Sequence, residues 1–426
     1  MANATAPGGA ALDDAGRQVV WLVTMIDPAQ DDPWKGCNPL DEGYRDDPYP
    51  SLHHLREIDP VNLTPIGLWR LTRYRDVVRL LHEVPTGVRS TAGALPFVDD
   101  EESRPGRFML QQDPPNHTRL RKLVSRGFTP RAVGKLRPKI AAVVEQCLDS
   151  VANAGRMDVV RDLALPVPST LICEMMGVPL ADRDLFTKWT GEATHGLAAG
   201  IAPPEVMELA MAAADNLANY FSELIEERRS SLRDDILSNL IRAEEAGDRL
   251  SPEELVSQSI GLLIAGFETT IGLIANGSRA LALHPDQAAL LRDDPSLISG
   301  AIDECLRYDS PIPLTPRVLH DDVVFGDTTI PKDSVVWALL AAANRDPERF
   351  PDPDRFDVRR PDNEHVAFGG GAHFCLGAHL ARLEGELAIG GLIARFDDIE
   401  LETEERVWGP SLFRVPGTLP IRFRGR

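Results

Sequence analysis

The stretch Phe368-Gly369-Gly370-Gly371-Ala372-His373-Phe374-Cys375-Leu376-Gly377 decides how the rest of the chain is read. It sets one cysteine at the end of a glycine-rich loop, directly ahead of Leu376, Leu380, Leu383 and Leu387, whose spacing is that of one helix face. The spacing predicts an amphipathic helix that begins right after Cys375. A cysteine there meets free backbone N–H groups and the positive end of the helix dipole, and both favour a thiolate. Consecutive glycines allow a tight turn and let the backbone approach a large flat object without side-chain clash. On the loop alone two readings stay open: an axial thiolate for a haem iron, or a buried structural cysteine beside a turn.

Composition narrows the class. A hydrophobic content of 43% in 426 residues is enough for a sizeable core. The net charge of −20 opposes phosphate, so no nucleic-acid partner is expected. Five cysteines (Cys37, Cys147, Cys173, Cys305, Cys375) are odd in number, far apart and without metal-site spacing, which points to free thiols and a cytoplasmic location. The apolar run Val19 to Ile26 is too short to cross a bilayer and follows no basic signal-peptide start, so no membrane span is expected.

Along the chain, residues 1–18 read as a mobile tail, and residues 19–426 as a single domain, mainly α with a small β region. A short helix is expected around Leu52 to Glu57, a strand over Leu68 to Thr72 and a helix over Tyr74 to His82. Val84 to Gln112 lacks clear periodicity, which suggests a lid or binding loop, or else a disordered segment. From Arg119 to Lys139 there are eight Lys or Arg and no acid, a basic island suited to an acidic partner or an anionic cofactor, or else a solvated helix face. Ser251-Pro252-Glu253-Glu254 is a capping box with Pro at the first helical position, and no stop follows before His284-Pro285. A helix of that length, roughly 48 Å at about 1.5 Å per residue, crosses a whole core. Pro295 to Tyr308 reads as another helix. Strand character comes late, at Val323 to Phe325, Val335 to Trp337 and between Ile399 and Phe423.

Near the middle of the long helix stand Ala265-Gly266-Phe267-Glu268-Thr269-Thr270. Gly and Thr cost helix stability and a buried carboxylate needs a partner, so this break in an apolar helix suggests a site, with Gly266 allowing local widening and Glu268 and a threonine hydroxyl relaying protons. The alternative is that Glu268 faces solvent at a bend. Glu304 and Arg307, at i and i+3, can pair within their helix.

In combination these stretches say more. Ala265-to-Thr270, Glu304-Cys305-Leu306-Arg307, Arg345-to-Phe356 and the Phe-x-x-Gly-x-x-x-Cys-x-Gly loop follow in this order, and together they resemble the cytochrome P450 family of haem-thiolate monooxygenases from about Asp46 onward. The resemblance implies the cytochrome P450 fold, with haem b (iron protoporphyrin IX) between the long central helix and the cysteine-loop helix. It implies Cys375 as the metal ligand, with Phe368, Gly369, Gly377, Ala265 and Gly266 beside the haem. His117, Arg121, Arg317 and His373 match propionate contacts; many members carry Arg where His373 stands, and an imidazole is neutral or charged according to its surroundings. Glu304 and Arg307 match the family's structural ion pair, which supports the cysteine loop. Glu268 and Thr269 match the catalytic acid–alcohol pair used in oxygen activation. The pocket would draw on residues 84–112, on Leu262 to Thr269, on Ile312, Pro313, Leu314 and Thr315, and on Leu412 and Phe413. These are mostly apolar, so a lipophilic small molecule is expected: a terpenoid, steroid, fatty-acyl or polyketide-like compound. One atom of O2 would be inserted into it by a monomeric enzyme. Electrons would come from a separate ferredoxin-type donor with its reductase, docking on Arg119, Lys122, Arg126, Arg131 and Lys135. Alternatives left open are a tailoring oxidase of the same family (epoxidation, coupling or dealkylation) and a haem-binding or gas-sensing protein without turnover.

Overall fold

The computed structural model describes residues 34–39, 41–64, 67–88, 108–198, 204–245, 250–409 and 411–425, and the strand pair Ala11–Leu12 with Gln18–Val19. The rest of the expected tail, and residues 89–107 of the expected binding loop, lie outside the described residues.

The helices that place the site are α1 (Asn116–Val124), α2 (Pro166–Met175), α3 (Arg183–Thr194), α4 (Pro204–Arg229), α5 (Pro252–Leu283), α6 (Ile298–Tyr308) and α7 (Ala378–Arg395). Helix α5 is their axis. Its expected capping box is present: the Ser251 N–H donates to Glu254 Oε2 at 3.0 Å and the Glu254 N–H donates to Ser251 Oγ at 3.1 Å. Pro285 keeps His284 out of helical geometry and ends the run at Leu283. Between these ends α5 buries Leu262, Leu263, Phe267, Ile271, Leu273 and Ile274 against α2, α3, α4, α6 and α7. Each such side chain contributes about 1.5–3 kcal/mol on full burial, so the length of α5 follows the core it crosses. It is long and apolar enough to cross a membrane, yet 67% of that stretch is buried inside the protein, which marks it as a core helix.

Helix α7 departs from the expected pattern. It begins at Ala378 with Gly377 as its cap, so Leu376 precedes it. Its buried residues include Leu380, Leu383, Glu384, Gly385, Ala388, Ile389, Leu392 and Ile393, which leaves no broad polar face. Wedged among α5, α6 and the helix Arg137–Val151, it is a core helix and not an amphipathic one.

A mixed five-stranded sheet flanks the helical body in the order Val61–Leu63, Trp69–Leu71, Val335–Ala338, Thr315–Leu319, Thr86–Gly87. Val335–Ala338 runs parallel to Trp69–Leu71 and antiparallel to Thr315–Leu319, which brings Arg317 opposite Val336. The helix Tyr74–His82 falls where its periodicity placed it. Thr315–Leu319 and the helix Pro285–Asp293 gave no legible signal, because prolines at their starts mask the pattern. Late alternation predicted strands through Ile399 to Phe423. Its ends, Phe396–Leu401 and Pro420–Gly425, pair and are joined by Arg156–Asp158 in a three-stranded sheet, while between them the described residues show one isolated bridge, Trp408 to Pro416.

Candidate active site

The cysteine loop is shaped by what lies behind it. Gly369 and Gly371 have positive φ (66° and 65°), and a Cβ on Gly371 would stand 2.2 Å from the Leu81 carbonyl oxygen. The close approach that the glycines permit is therefore to the end of the helix Tyr74–His82. Cys375 donates its N–H to the Phe368 carbonyl at 3.0 Å, and its sulfur accepts the Gly377 N–H. Burial nevertheless raises the thiol pKa, and the Gly377 N–H, Arg121 and Arg382 only partly oppose it. The Gly377 N–H thus acts in the direction expected of the helix start, against desolvation, and coordination of a metal would deprotonate the thiol.

Phe368 is held from behind. The Arg382 guanidinium lies 4.6 Å from its ring centre, Arg382 Nε donates to Asp303 Oδ1 at 2.8 Å, and His365 meets the same oxygen at 3.2 Å. The expected ion pair supports the same loop. Glu304 and Arg307, both fully buried, form two parallel bonds of 2.7 and 2.9 Å. Arg307 also donates to the carbonyls of Asn344 and Pro353 at 2.9 and 2.8 Å. Glu304 accepts from the Asp357 N–H, Arg360 Nε and Asn363 Nδ2. Asn344 Oδ1 in turn accepts the Val366 N–H at 2.7 Å, two residues before Phe368. The pair thus clamps the 344–366 segment, and that segment carries the loop.

Beside the loop, four basic side chains converge from three elements. His117 and Arg121 come from α1, Arg317 from its strand and His373 from the loop. The rings of His117 and His373 lie 4.2 Å apart. Both ring nitrogens of His117, Nδ1 of His373 and Nη1 of Arg121 are buried without a hydrogen-bond partner. Arg121 Nη2 donates to the Phe374 carbonyl, and Arg317 Nη1 to Thr315 Oγ1 and the Pro316 carbonyl. Among the described residues neither arginine has an ion pair. Burial and the two arginines lower the His117 pKa, with Asp113 opposing. Burial, then Arg317, His117 and Arg121, push His373 down to about 3, so it is neutral at pH 7. Arg317 falls to about 10 through burial. Asp113 is the carboxylate that acts on this cluster, and it forms no ion pair with either arginine; buried cations without a paired anion are costly unless one completes the site.

On α5, Ala265 is exposed in mid-helix, with Gly266, Glu268 and Thr269 half-buried. The helix runs through without a break, and a Cβ on Gly266 would meet Ile172 Cδ1 of α2 at 3.3 Å, so this glycine serves helix packing rather than widening. Thr269 Oγ1 donates to the Ala265 carbonyl at 2.9 Å. Glu268 turns the other way. It is not at a solvent-facing bend: burial raises its pKa to about 7, opposed only by a hydrogen bond with Thr194 of α3, and Oε2 has no partner. The two side chains of the expected acid–alcohol pair do not touch directly.

Sequence reasoning missed Glu384. This α7 carboxyl is 2% exposed, is pushed up to about 8 by burial and meets Thr270 of α5. An acid amid Leu380, Leu383 and Leu387 was its available signal. Of the expected pocket residues, Pro313, Leu314, Leu412 and Phe413 line one small cavity of about 30 Å³ with Tyr44, Arg45 and Trp408, and no residue of α5 reaches it.

The family profile described as "Cytochrome P450" matches residues 84–408. The chain belongs to the cytochrome P450 family. It is 41% identical over 397 residues to the vitamin D(3) 25-hydroxylase of Pseudonocardia autotrophica, covering 88% of this chain and 94% of that one. It is 39% identical over 391 residues to the 6-deoxyerythronolide B hydroxylase of Saccharopolyspora erythraea, covering 88% and 95%. Among solved structures, Mycobacterium smegmatis CYP164A2 superposes with a TM-score of 0.84 at 37% identity, covering 90% of this chain and 98% of that one. This cytochrome P450 is thus a monooxygenase of the haem b type. Its residues fit that cofactor. The half-buried Cys375 thiol stands beside Arg121 and Arg317, which have no ion pair among the described residues, and beside imidazole nitrogens without a partner; paired carboxylates are the complement these groups lack.

Proposed function

We propose that this cytochrome P450 inserts one atom of O2 into a large lipophilic small molecule of the polyketide-lactone or steroid kind, with electrons from a separate ferredoxin and its reductase. In this reading Cys375 would ligate the haem iron through its thiolate, Phe368, Gly369, Gly377, Ala265 and Gly266 would line the haem site, and His117, Arg121, Arg317 and His373 would hold its propionates. The bound haem supplies O2 binding and thiolate-assisted O–O cleavage. Everything else falls to the chain. Arg121 and Arg317 would bring positive charge to the propionates, and His373 would add a ring nitrogen within the same cluster. Glu268 and Thr269 are the catalytic pair: because the two side chains do not touch, the proton that Glu268 releases would reach the Thr269 hydroxyl through an intervening water, and the hydroxyl would pass it on.

The observation that carries this reading is Glu268 itself. A carboxyl that titrates near pH 7 in the middle of the core helix both holds and releases a proton at working pH, as a general acid requires. The apolar residues near the site and the macrolactone and vitamin D hydroxylases among its relatives support the substrate class. Docking of the donor is supported by Lys122, Arg126, Arg131 and Lys135, all exposed and, among the described residues, without ion pairs. Arg119 is different, since it is tied to Glu254. We assign the chain as a single domain over residues 19–426 with a tail over 1–18, acting as a monomer in the cytoplasm; its five free cysteines fit a reducing compartment.

The test is a panel of macrolactones, steroids, terpenoids and fatty acids, scored by substrate-induced spin shift and then by labelled-oxygen incorporation from O2. A hit whose product carries the label, and whose yield collapses into peroxide in Glu268→Gln, is the expected result. Product formation unchanged in both Glu268→Gln and Thr269→Val would overturn the assigned roles.

A further inference from the structure

Helix α3 carries threonines at 187, 190 and 194, a spacing of three and four that sets them on one face. Thr190 and Thr194 are 1% and 0% exposed, and α3 packs against α5 and α4. Thr194 bonds with Glu268, and its own proton rests on the Thr190 carbonyl at 2.8 Å. Thr190 Oγ1 and Thr187 Oγ1 are buried with no partner, as is Glu268 Oε2 at the end of the row. A Cβ on Gly191, one position from Thr190, would meet nothing within 4 Å, so there is room on that flank. Buried hydroxyls are rarely left unpaired, and ordered water is the usual partner in a polar recess.

We propose that Thr187, Thr190 and Thr194 form a proton route along α3 that recharges Glu268 from solvent. Residues three and four apart on a helix face have Cβ atoms about 5–6 Å apart, a spacing that one water accepting from one hydroxyl and donating to the next can bridge. The route leads to the first turn of α3, where the Asp184 carboxylate is 88% exposed. Each event moves one proton. The Thr194 hydroxyl rotates off the Thr190 carbonyl and gives its proton to ionised Glu268, and it takes another from the water before Thr190. That water is replenished through Thr187, so the row ends as it began, with Glu268 protonated and one proton drawn from bulk water. The other titratable groups on this helix are Glu192, paired with Lys188 at 4.0 Å, and His195, whose pKa is lowered by burial. Neither perturbs Glu268, whose two influences are burial and Thr194. The threonines are positioning residues that act through Glu268, so the inference rests on Glu268 as the acid.

The test is a laser pH jump on the haem-loaded protein without substrate, followed by time-resolved infrared. The readout is the carboxylic C=O band that is lost in Glu268→Gln. Thr194→Val and Thr190→Val are expected to slow protonation of that band by about tenfold or more, with Thr194→Ser close to the parent. Unchanged rates in both valine variants would overturn the route. So would slowing confined to Thr194→Val, since protons would then bypass Thr190, and so would a Glu268 that shows no titrating band. Coupling in Glu268→Gln is scored separately. If that variant stays coupled, the acid role fails whatever the infrared shows; if it uncouples while both valine variants conduct normally, only the threonine route fails.

Discussion

Replacing Glu384 with glutamine keeps the side chain's shape and its contact with Thr270 but removes a group that titrates differently in the folded and unfolded chain. Burial lifts this carboxyl from 4.5 to about 8 in the folded protein. Its proton is therefore held more tightly in the folded state. The stability it contributes is complete below the unfolded value, drains as pH rises and is gone once pH passes the folded value. One pKa unit is worth about 1.4 kcal/mol, so from about pH 6 to about pH 8 the parent should lose about 2–3 kcal/mol through this residue. The glutamine variant loses nothing by this route, and the other titrating groups cancel in the comparison. Urea unfolding of the haem-loaded parent and Glu384→Gln at both pH values measures the difference directly. The variant should gain on the parent by about 2 kcal/mol across that interval. Equal pH dependence in the two proteins would refute the argument and mean that Glu384 is paired or hydrated where burial puts it out of reach.

Three further outcomes follow from the same contacts. Glu304→Gln strands the buried Arg307 guanidinium and loosens the 344–366 clamp, so it should cost about 3–5 kcal/mol in denaturant unfolding and broaden the spectrum of the bound haem. Arg317→Met removes a buried cation that has no carboxylate partner; transfer of haem to apomyoglobin should speed by about 10- to 100-fold while the fold is kept, as expected for loss of one charged hydrogen bond. Arg126→Glu should slow reduction by an acidic ferredoxin at low ionic strength, with the gap closing as salt is added; a gap that salt leaves unchanged would rule out electrostatic docking at that site.

Much of the architecture was legible because its signals are local. The capping box at Ser251 and the proline at 285 bound α5 at both ends, and the helical spacing of apolar residues placed Tyr74–His82 to the residue. The cysteine loop and the Glu304–Arg307 pair were legible as a set, since their order and spacing carry more than any one of them. What failed depends on packing. Leucines at helical spacing after Cys375 read as one face, but neighbours on several sides bury most of α7. Gly266 reads as a weak point in a helix until Ile172 is seen against it. Glu268 was found from its chain neighbours, whereas its partner Thr194 and the buried Glu384 required the fold.

The central claim is that Cys375 ligates the haem iron. The absorption spectrum of the reduced, CO-bound protein tests it most directly, alongside Cys375→His. The account predicts the red-shifted band of a thiolate-ligated haem in the parent and the histidine-type band in the variant; a histidine-type band in the freshly prepared parent would contradict it.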